Sequence, residues 1–381
     1  MSPEGAARHR AAALVDARQY RLARPEIARA LAEDPDDGAA FHVLALLEQR
    51  EGRFDEALAA LDRAAALGVP PTSTLHTRMN TLYHARRFPE AVATAGELLR
   101  HDPQQLQAHI LLAQMLGGEG RADYHRARAH AEQAVALAPE SDHAHYALGQ
   151  VLSSTHGRRG ARAALPHLQQ AVRLRPDDAA NLNAFAVADL ALGRSRRALR
   201  SFADALAVDP SLEPAAFNLP LAMMGLARRA GLVVTLVFVG SAIAGVALSP
   251  RVRPPEPGAG GPAHALAVVL ALVVVGLAVT WLVRAVPGSV RPAAARAWRR
   301  DPLLLPLVAS SAVQAVCAVG MLAVPLPNGV QVPPLFLLGL AVRVVATLFS
   351  RARTARYGRD RRSERAELWR PARSGRDHRV V

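Results

Sequence analysis

Lysine is absent from this 381-residue chain, so all 46 of its basic residues are arginines. A single cysteine, Cys317, excludes an internal disulfide. No apolar run follows the early arginines, and we therefore expect no cleavable signal peptide. Aromatic residues are also scarce, at 4% of the chain. The apolar share of 51% and charged share of 20% exclude wholesale disorder, and the length allows two or three domains.

The sequence also lacks motifs of common catalytic and cofactor sites. No HExxH, CxxC or GxxxxGK[ST] pattern is present. His143 and His145 are two residues apart, so on a helix they diverge by about 200° and cannot share a metal ion. The glycine-rich stretch "GAGGP" at residues 258–262 reads as a turn and not as a phosphate-binding loop. We predict no enzyme activity, no metal site and no cofactor.

Net charge is divided unequally along the chain. Residues 1–220 carry a net charge of −1, whereas residues 221–381 carry +15. The basic part also contains four apolar runs without an acidic residue, each close to the roughly 17–25 residues that a membrane-spanning helix needs. Buried helices of a soluble core are the alternative. We predict four transmembrane helices, at about residues 231–248, 264–283, 303–324 and 334–349.

The connections between these runs predict their orientation. Arginines are concentrated before the first run, between the second and third, and in the tail at 351–381. By the positive-inside rule these segments face the cytoplasm, which predicts a multi-pass protein of the cytoplasmic membrane with both termini inside. Arg343, near the middle of the fourth run, is expected to snorkel toward the headgroups. The basic tail is expected to lie on anionic lipid, with nucleic acid as the weaker alternative.

Small residues recur at fixed spacing in the first 212 residues. Ala23, Ala57 and Ala91 are 34 residues apart, and Ala127, Ala164 and Ala198 continue the series. A second small or apolar residue stands seven positions after each one. A proline follows five positions later in five of the six units, at Pro35, Pro103, Pro139, Pro176 and Pro210, and Pro70 stands one place late. On a helix, offsets of four and three residues share one face, so these side chains let a neighbouring helix approach closely.

This pattern resembles the tetratricopeptide repeat, a 34-residue pair of antiparallel helices that stacks into a superhelix. The resemblance covers six units, at about residues 4–37, 38–71, 72–105, 106–141, 142–178 and 179–212. The third unit departs from the family by placing Met79 at a position that is usually small. We expect the extra residues of the fourth and fifth units to lie in the turns between their helices. The predicted fold is therefore all-α, a superhelix followed by four transmembrane helices.

The resemblance implies a concave groove, lined by the first helix of each unit, that binds peptides or partner helices. Asn80, Gln114 and Gln150 occupy equivalent places in three successive units, and a row of amides suits the backbone of an extended peptide. Solvated helix faces are the alternative reading. Other residues expected to face the groove are His42, Arg50, His76, Tyr83, His84, Gln107, His143, Tyr146 and Asn183.

Together these features predict a membrane-anchored scaffold that binds a protein or peptide partner at the cytoplasmic face. An alternative is a permease or enzyme subunit with its chemistry in the four spans and regulatory repeats. A third, weaker hypothesis is association of the tail with nucleic acid. The predicted organisation is a repeat domain at 1–212, a juxtamembrane capping helix at 213–229, a membrane region at 230–350 and a basic tail at 351–381.

Overall fold

The computed structural model describes residues 5–117, 121–154 and 157–247, together with scattered helical positions between 269 and 348. The three continuous ranges are built from α-helices joined by short turns. These helices are α1 (Ala6–Asp16), α2 (Tyr20–Glu33), α3 (Gly38–Arg50), α4 (Phe54–Ala66), α5 (Pro71–His84), α6 (Phe88–His101), α7 (Leu106–Leu116), α8 (Arg121–Leu137), α9 (Asp142–Ser154), α10 (Gly157–Leu174), α11 (Ala179–Ala191), α12 (Ser195–Val208) and α13 (Glu213–Ala247).

The chain divides into two compact units, and the division falls between α9 and α10. In the first unit each of the helices α1 to α8 packs against the helix that follows it, and α3 also packs against α1 and α5. Helix α7 likewise packs against α9. In the second unit α10, α11, α12 and α13 pack in order, and α13 also touches α11. Odd-numbered helices up to α11 are the first helices of the predicted units and even-numbered helices are the second.

The regularly spaced small residues are buried, as predicted. Ala57, Leu61 and Ala64 of α4 are each fully inaccessible to solvent. The equivalent residues of the other second helices are buried in the same way, so the offsets of four and three residues define the packed face in every unit. Met79, which replaces a small residue in the third unit, is also fully buried. Its flexible side chain fills the same interior position without breaking the helix pair.

Turns within the helix pairs share one backbone conformation. The second residue of the turn has a positive φ in four units, at Arg18 (57°), Gly52 (80°), Arg86 (59°) and Gly193 (77°). The next amide then donates back to the helix, as from Arg53 N to the Glu48 carbonyl at 2.9 Å and from Arg87 N to the Leu82 carbonyl at 2.9 Å. This six-to-one hydrogen bond satisfies a carbonyl that the helix end leaves free. The turn thereby reverses the chain within three residues.

Asp-Pro pairs follow directly after three of the second helices. Helix α2 ends at Glu33, directly before Asp34 and Pro35. The Asp34 carboxylate accepts a hydrogen bond from the backbone amide two residues later, at 3.0 Å, and Asp102 and Asp209 make the same bond. Such a turn competes with helix because the side chain offers the backbone another partner. In the first of these turns, Asp37 then caps α3 by accepting from the Ala40 amide at 3.0 Å.

The extra residues of the fourth and fifth units lie in helices, and the expectation that they lengthen the turns was wrong. Helices α8 and α10 contain 17 and 18 residues, whereas α2, α4, α6 and α12 contain 13 or 14. Counted back from Ala127 and Ala164, α8 and α10 begin three and four residues earlier than the other second helices do from their own first small residue. Most of the added residues are arginine, alanine and other residues compatible with helix, so continuing the helix satisfies their backbone groups.

Helix α13 is continuous from Glu213 to Ala247 and therefore includes both the predicted capping segment and most of the first predicted span. Among the described residues, Glu213–Leu236 is the helical stretch whose length and apolar composition would suffice to cross a membrane. The other three predicted spans lie almost entirely outside the described residues. Arg343, Cys317 and the tail at 351–381 also lie outside them.

Candidate functional site

A pocket of about 600 Å³ opens beside α3 and α5, the first helices of the second and third units. Its wall combines apolar side chains with amide, imidazole, hydroxyl and guanidinium groups. The lining residues are Leu46, Gln49, Arg50, Gly52, Phe54, His76, Thr77, Asn80 and His84. Four predicted groove residues, Arg50, His76, Asn80 and His84, are thus brought together at one place.

His42 of α3 is held against α5 by a hydrogen bond. Its Nε2 atom lies 2.8 Å from the Thr77 hydroxyl. That hydroxyl donates its hydrogen to the Ser73 carbonyl at 3.2 Å, so it accepts from the imidazole. Burial lowers the pKa of His42, a hydrogen bond with the Ser73 backbone opposes this, and the nearby His76 lowers it further. His42 therefore fixes the spacing of the two helices as a neutral donor.

His76 and Asn80 lie one turn apart on α5 and contact each other. The Asn80 side-chain amide donates to His76 Nε2 at 3.4 Å. An imidazole nitrogen that accepts a hydrogen bond carries no proton, and burial lowers the pKa of His76, which also favours the neutral ring. The pocket therefore presents a neutral imidazole beside an amide whose carbonyl oxygen and second N–H have no partner in the described residues.

The remaining predicted groove residues occupy the first helices but line other surfaces. Gln150 and Tyr146 form a side-chain hydrogen bond one turn apart on α9, and both are half-buried. Gln114 is half-buried on α7, whereas Gln107 and His143 are exposed. Tyr83 stacks edge-on with His84 and near Phe88 at the end of the third unit's first helix. Asn183 lies on α11, the first helix of the sixth repeat, with its side-chain oxygen buried.

Several lining residues were not found from the sequence. Thr77 lies three residues before Asn80, so the helical period could have indicated it. Leu46 and Gln49 precede Arg50 on α3, and Phe54 begins the next helix; no spacing signal separates these three from other half-buried positions. Only the packing of α3 beside α5 brings them to one pocket.

A second polar contact joins α7 to α8 away from this pocket. His109 Nδ1 lies 3.0 Å from His130 Nδ1, and His109 Nε2 donates to the Pro103 carbonyl at 3.0 Å. Because His109 carries its proton on Nε2, its Nδ1 accepts from His130. His145 makes the equivalent bond to the Pro139 carbonyl in the next unit. Within the described ranges, no group of three or more histidine, cysteine or acidic side chains is arranged to hold a metal ion.

Pairs of antiparallel helices that bury small residues at a fixed period define a helical-repeat protein. The family model described as "Tetratricopeptide repeat" matches two segments of this region, residues 10–68 and 119–179. The fold of the repeat region is an all-α tetratricopeptide solenoid of about twelve helices, as the alanine spacing predicted.

Solved structures of tetratricopeptide proteins align with about half of the chain. A thermophilic tetratricopeptide protein from Thermus thermophilus is 21% identical, covers 49% of this chain and 99% of its own, and has a TM-score of 0.41. A tetratricopeptide protein from Parabacteroides merdae is 14% identical, covering 58% and 89%, with a TM-score of 0.45. YrrB, described as having an unusual peptide-binding site, is 18% identical, covering 50% and 95%, with a TM-score of 0.39. No curated protein gives a significant match.

Proposed function

We propose that this protein is a membrane-anchored scaffold whose repeats bind an extended segment of a partner protein at the cytoplasmic face of the membrane. The observation that carries the binding role is the pocket beside α3 and α5. Tetratricopeptide repeats serve as protein-interaction surfaces, and this pocket offers unpaired amide groups that match the donors and acceptors of an extended backbone.

Gln114 and Gln150 extend the proposed surface along the first helices of the next two units. Both amides are half-buried, so each is within reach of a ligand while part of its surface is held by the helix packing. Amides recognise peptide backbone without regard to side-chain sequence, which fits a scaffold that accepts more than one partner segment. The role proposed is binding, and no catalytic step is assigned to these residues.

Exposed apolar side chains support the membrane anchor. In the described part of the repeats, large apolar residues are exposed only singly, as at Leu22 and Val208. Beyond Gly231 they are frequent on the described positions: Leu232, Val233, Leu236, Ile243, Val269, Val273, Leu340, Val344 and Leu348. A surface of this kind is costly in water and favourable in hydrocarbon. The apolar runs and the arginine distribution of the sequence add to the proposal of four spans with both termini inside.

A buried polar contact in the same region fits packing between spans. Thr235 donates to the Gln314 side-chain oxygen at 3.0 Å, and Ser310 and Gln314 are fully buried. Side-chain hydrogen bonds of this type join helices in membranes. We therefore assign these polar residues to helix packing, and the permease alternative gains no support from them.

Capture of partners from membranes tests the binding role. The full-length chain carrying Asn80→Ala, Gln114→Ala and Gln150→Ala together is compared with the parent in a pull-down from solubilised membranes. We expect the variant to lose most of the proteins that the parent captures, because each lost amide leaves part of the partner's backbone unpaired, at about 1 kcal/mol or more per bond.

A matched control removes three exposed amides elsewhere, Gln104, Gln133 and Gln169. This control should capture the same proteins as the parent chain. If the groove variant and the control variant both retain the full set of partners, the amide row is not the binding surface and the proposal fails.

A further inference from the structure

Arginine becomes abundant at α10, well before the predicted spans begin. Residues 1–156 contain 16 arginines and 20 acidic residues, whereas residues 157–229 contain 11 arginines and six acidic residues. Two of the 11, Arg173 and Arg175, lie at the C-terminal end of α10. Most of the others lie at the opposite end, in the first two turns of α10 and α12: Arg158, Arg159, Arg162, Arg196, Arg197 and Arg200.

Contacts around the turn between α11 and α12 bring these helix starts together within the second compact unit. Arg158 of α10 donates to the Leu192 carbonyl of this turn at 3.2 Å. Arg229 of α13 donates to the next carbonyl, that of Gly193. The starts of α10 and α12 and the middle of α13 therefore lie side by side. We call the surface that they form, with its exposed arginines, the arginine end.

Carboxylates of the protein neutralise only part of this charge. Asp189 is fully buried beside the turn and pairs with Arg194 at 3.4 Å and with Arg197 at 2.9 Å. Three further arginines of the arginine end are exposed and make no hydrogen bond or ion pair with a described residue: Arg159, Arg162 and Arg196. The arginine end therefore carries an excess of positive charge that faces solvent.

Helix stability does not account for arginines at these positions. The N-terminus of a helix carries the positive end of its dipole, so acidic side chains stabilise the first turn and basic ones oppose it. Helices α4, α6 and α8 have acidic residues in their first turns, among them Asp55, Glu90 and Asp123, whereas α10 and α12 have none. An anionic partner would offset the repulsion that the arginine end contains.

Helix α13 connects the arginine end directly to exposed apolar surface. As far as Leu226 this helix packs in the core formed with α11 and α12. Beyond it, the side chains of Leu232, Val233 and Leu236 are exposed. At 1.5 Å per residue, Arg229 precedes Leu232 by about 4.5 Å along the helix. A headgroup layer is roughly 5–7 Å deep, so a bilayer that takes up Leu232 would have its headgroups at Arg229.

We propose that the arginine end binds the phosphate groups of anionic phospholipids at the cytoplasmic surface of the membrane and gathers these lipids around α13. The proposal rests on the proposed function, because it requires α13 to enter the bilayer. A guanidinium forms two parallel hydrogen bonds to a phosphate, and the cytoplasmic leaflet attracts basic surfaces within a Debye length. Nucleic acid would match the charge but not the apolar surface that begins one turn away.

The experiment uses the full-length chain reconstituted into phosphatidylcholine vesicles. Cys317→Ser removes the single native cysteine, and Ala191→Cys introduces a fluorophore at the exposed last residue of α11, beside the turn. Quenching is measured with phosphatidylglycerol or phosphatidylcholine that carries the same nitroxide on its acyl chain near the headgroup, at equal mole fraction. Ala207→Cys gives a reference label at an exposed position about 18 Å further along α12.

Phosphatidylglycerol should quench the label at residue 191 about fivefold more effectively than phosphatidylcholine, since one basic residue near an anionic surface contributes about that factor. The label at residue 207 should be quenched weakly by both lipids. Raising the salt to about 1 M, where the Debye length is about 3 Å, should remove most of the preference in the parent chain.

Variants locate the contact. Replacing Arg159, Arg162 and Arg196 together by glutamine should abolish the preference for phosphatidylglycerol, whereas replacing them by lysine should retain part of it because the charge remains. The matched control replaces three exposed arginines near the C-terminal ends of second helices, Arg100, Arg173 and Arg175, by glutamine and should keep the preference. Far-UV circular dichroism checks that each variant keeps its helix content.

Three results would overturn the proposal. If both lipids quench the label at residue 191 equally, the arginine end lies at a membrane but does not select anionic lipid, and the anchor stands. If the preference survives the triple glutamine variant, other residues gather the lipid. If no preference is seen and the parent in detergent binds a labelled DNA duplex that the triple variant does not bind, the arginine end is a nucleic-acid site. Failure of both lipids to quench this label would contradict the proposed membrane anchor as well.

Discussion

At the level of single residues, alanine controls how closely the helices of each pair approach. Ala57 and Ala64 are fully buried on either side of Leu61 in α4, and the same arrangement recurs in the other units. Interiors of proteins are packed as densely as organic crystals, so a position that holds a methyl group has no room for three more carbons. The small residues are therefore required by geometry and not merely tolerated.

Replacing Ala57 by leucine should destabilise the repeats by about 1–3 kcal/mol, because the larger side chain forces neighbouring helices apart. The measurement is urea unfolding of the full-length chain in detergent, followed by far-UV circular dichroism. Ala65→Leu is the control, since Ala65 is exposed on the same helix and leucine is nearly as good a helix former as alanine. Equal losses of stability in the two variants would contradict the role of Ala57 in close packing.

Histidines in the repeats should make stability depend on pH. Burial, His109 and Arg126, in that order, lower the pKa of His130 from its ordinary value of 6.5. As the pH falls through 6.5, the unfolded chain takes up a proton before the folded chain does, so stability is lost. Burial lowers the pKa values of His42 and His76 as well, and their contributions have the same sign.

His130→Asn should therefore weaken the dependence of stability on pH, even if it lowers stability at neutral pH by removing the bond to His109. The free energy of unfolding is measured at about pH 7.5 and about pH 5.5, and the difference is compared between variants. His125→Asn, at an exposed position on the same helix, serves as the control. A His130 variant that loses as much stability on acidification as the parent chain would show that this histidine is not the sensitive group.

At the level of elements, the turns within four of the helix pairs contain a left-handed residue, and the chain fills that place with glycine or arginine. Glycine adopts this conformation without penalty, whereas other residues lose roughly 1 kcal/mol or more. Gly52 and Gly193 satisfy the requirement, while Arg18 and Arg86 adopt the same conformation at a cost. The six-to-one hydrogen bonds that close the turns keep the two arginines there.

Arg86→Gly should raise stability by up to about 1 kcal/mol, since it removes the strain, although glycine's greater freedom in the unfolded chain offsets part of the gain. The opposite change, Gly52→Ala, should lower stability by a similar amount. No atom lies within 4 Å of a Cβ at Gly52, so the backbone conformation and not a clash is tested. Thermal unfolding of both variants is the measurement. A loss of stability in Arg86→Gly would mean that the arginine makes a compensating contact.

The second helices of the fourth and fifth units illustrate how elements absorb extra residues. Both helices extend toward their N-termini by about one turn relative to the other second helices. The packed face, set by Ala127 and Ala164, is unchanged because additions at a helix end do not alter the register of the residues that follow. The repeat thus tolerates insertions without loss of its buried contacts.

At the level of the whole molecule, charge and apolar surface are segregated along the chain. The repeats are nearly neutral, while the region beyond residue 220 carries the excess of arginine and most of the exposed large apolar residues that the structure describes. The proposed membrane topology accounts for both features together, because arginine accumulates on the cytoplasmic side of spans whose apolar surfaces face lipid.

Trypsin added outside spheroplasts should spare the repeats and cut after Arg251, in the connection that the topology places outside the cell. Arg253 is followed by proline and should resist cleavage. A fragment ending at Arg251 and retaining all six repeats is expected on immunoblots against the N-terminus. In lysed spheroplasts the repeats themselves should be digested. Loss of the repeats from intact spheroplasts would contradict the proposed orientation.

The sequence alone determined the helix pairs. The small residues that pack closely stand four and three positions apart on one helix face, and this arrangement recurs about every 34 residues. The spacing of the alanines and of the prolines that follow them sufficed to locate the six helix pairs of the repeats. Four of the expected groove residues lie around one pocket, since a helix face can be read from its period. Tertiary structure alone decided which side chains share that pocket, because Arg50, Phe54 and His76 meet only when α3 and α5 lie side by side. It also placed the added residues in helices, where the balance between turn and helix depends on packing that no local pattern records.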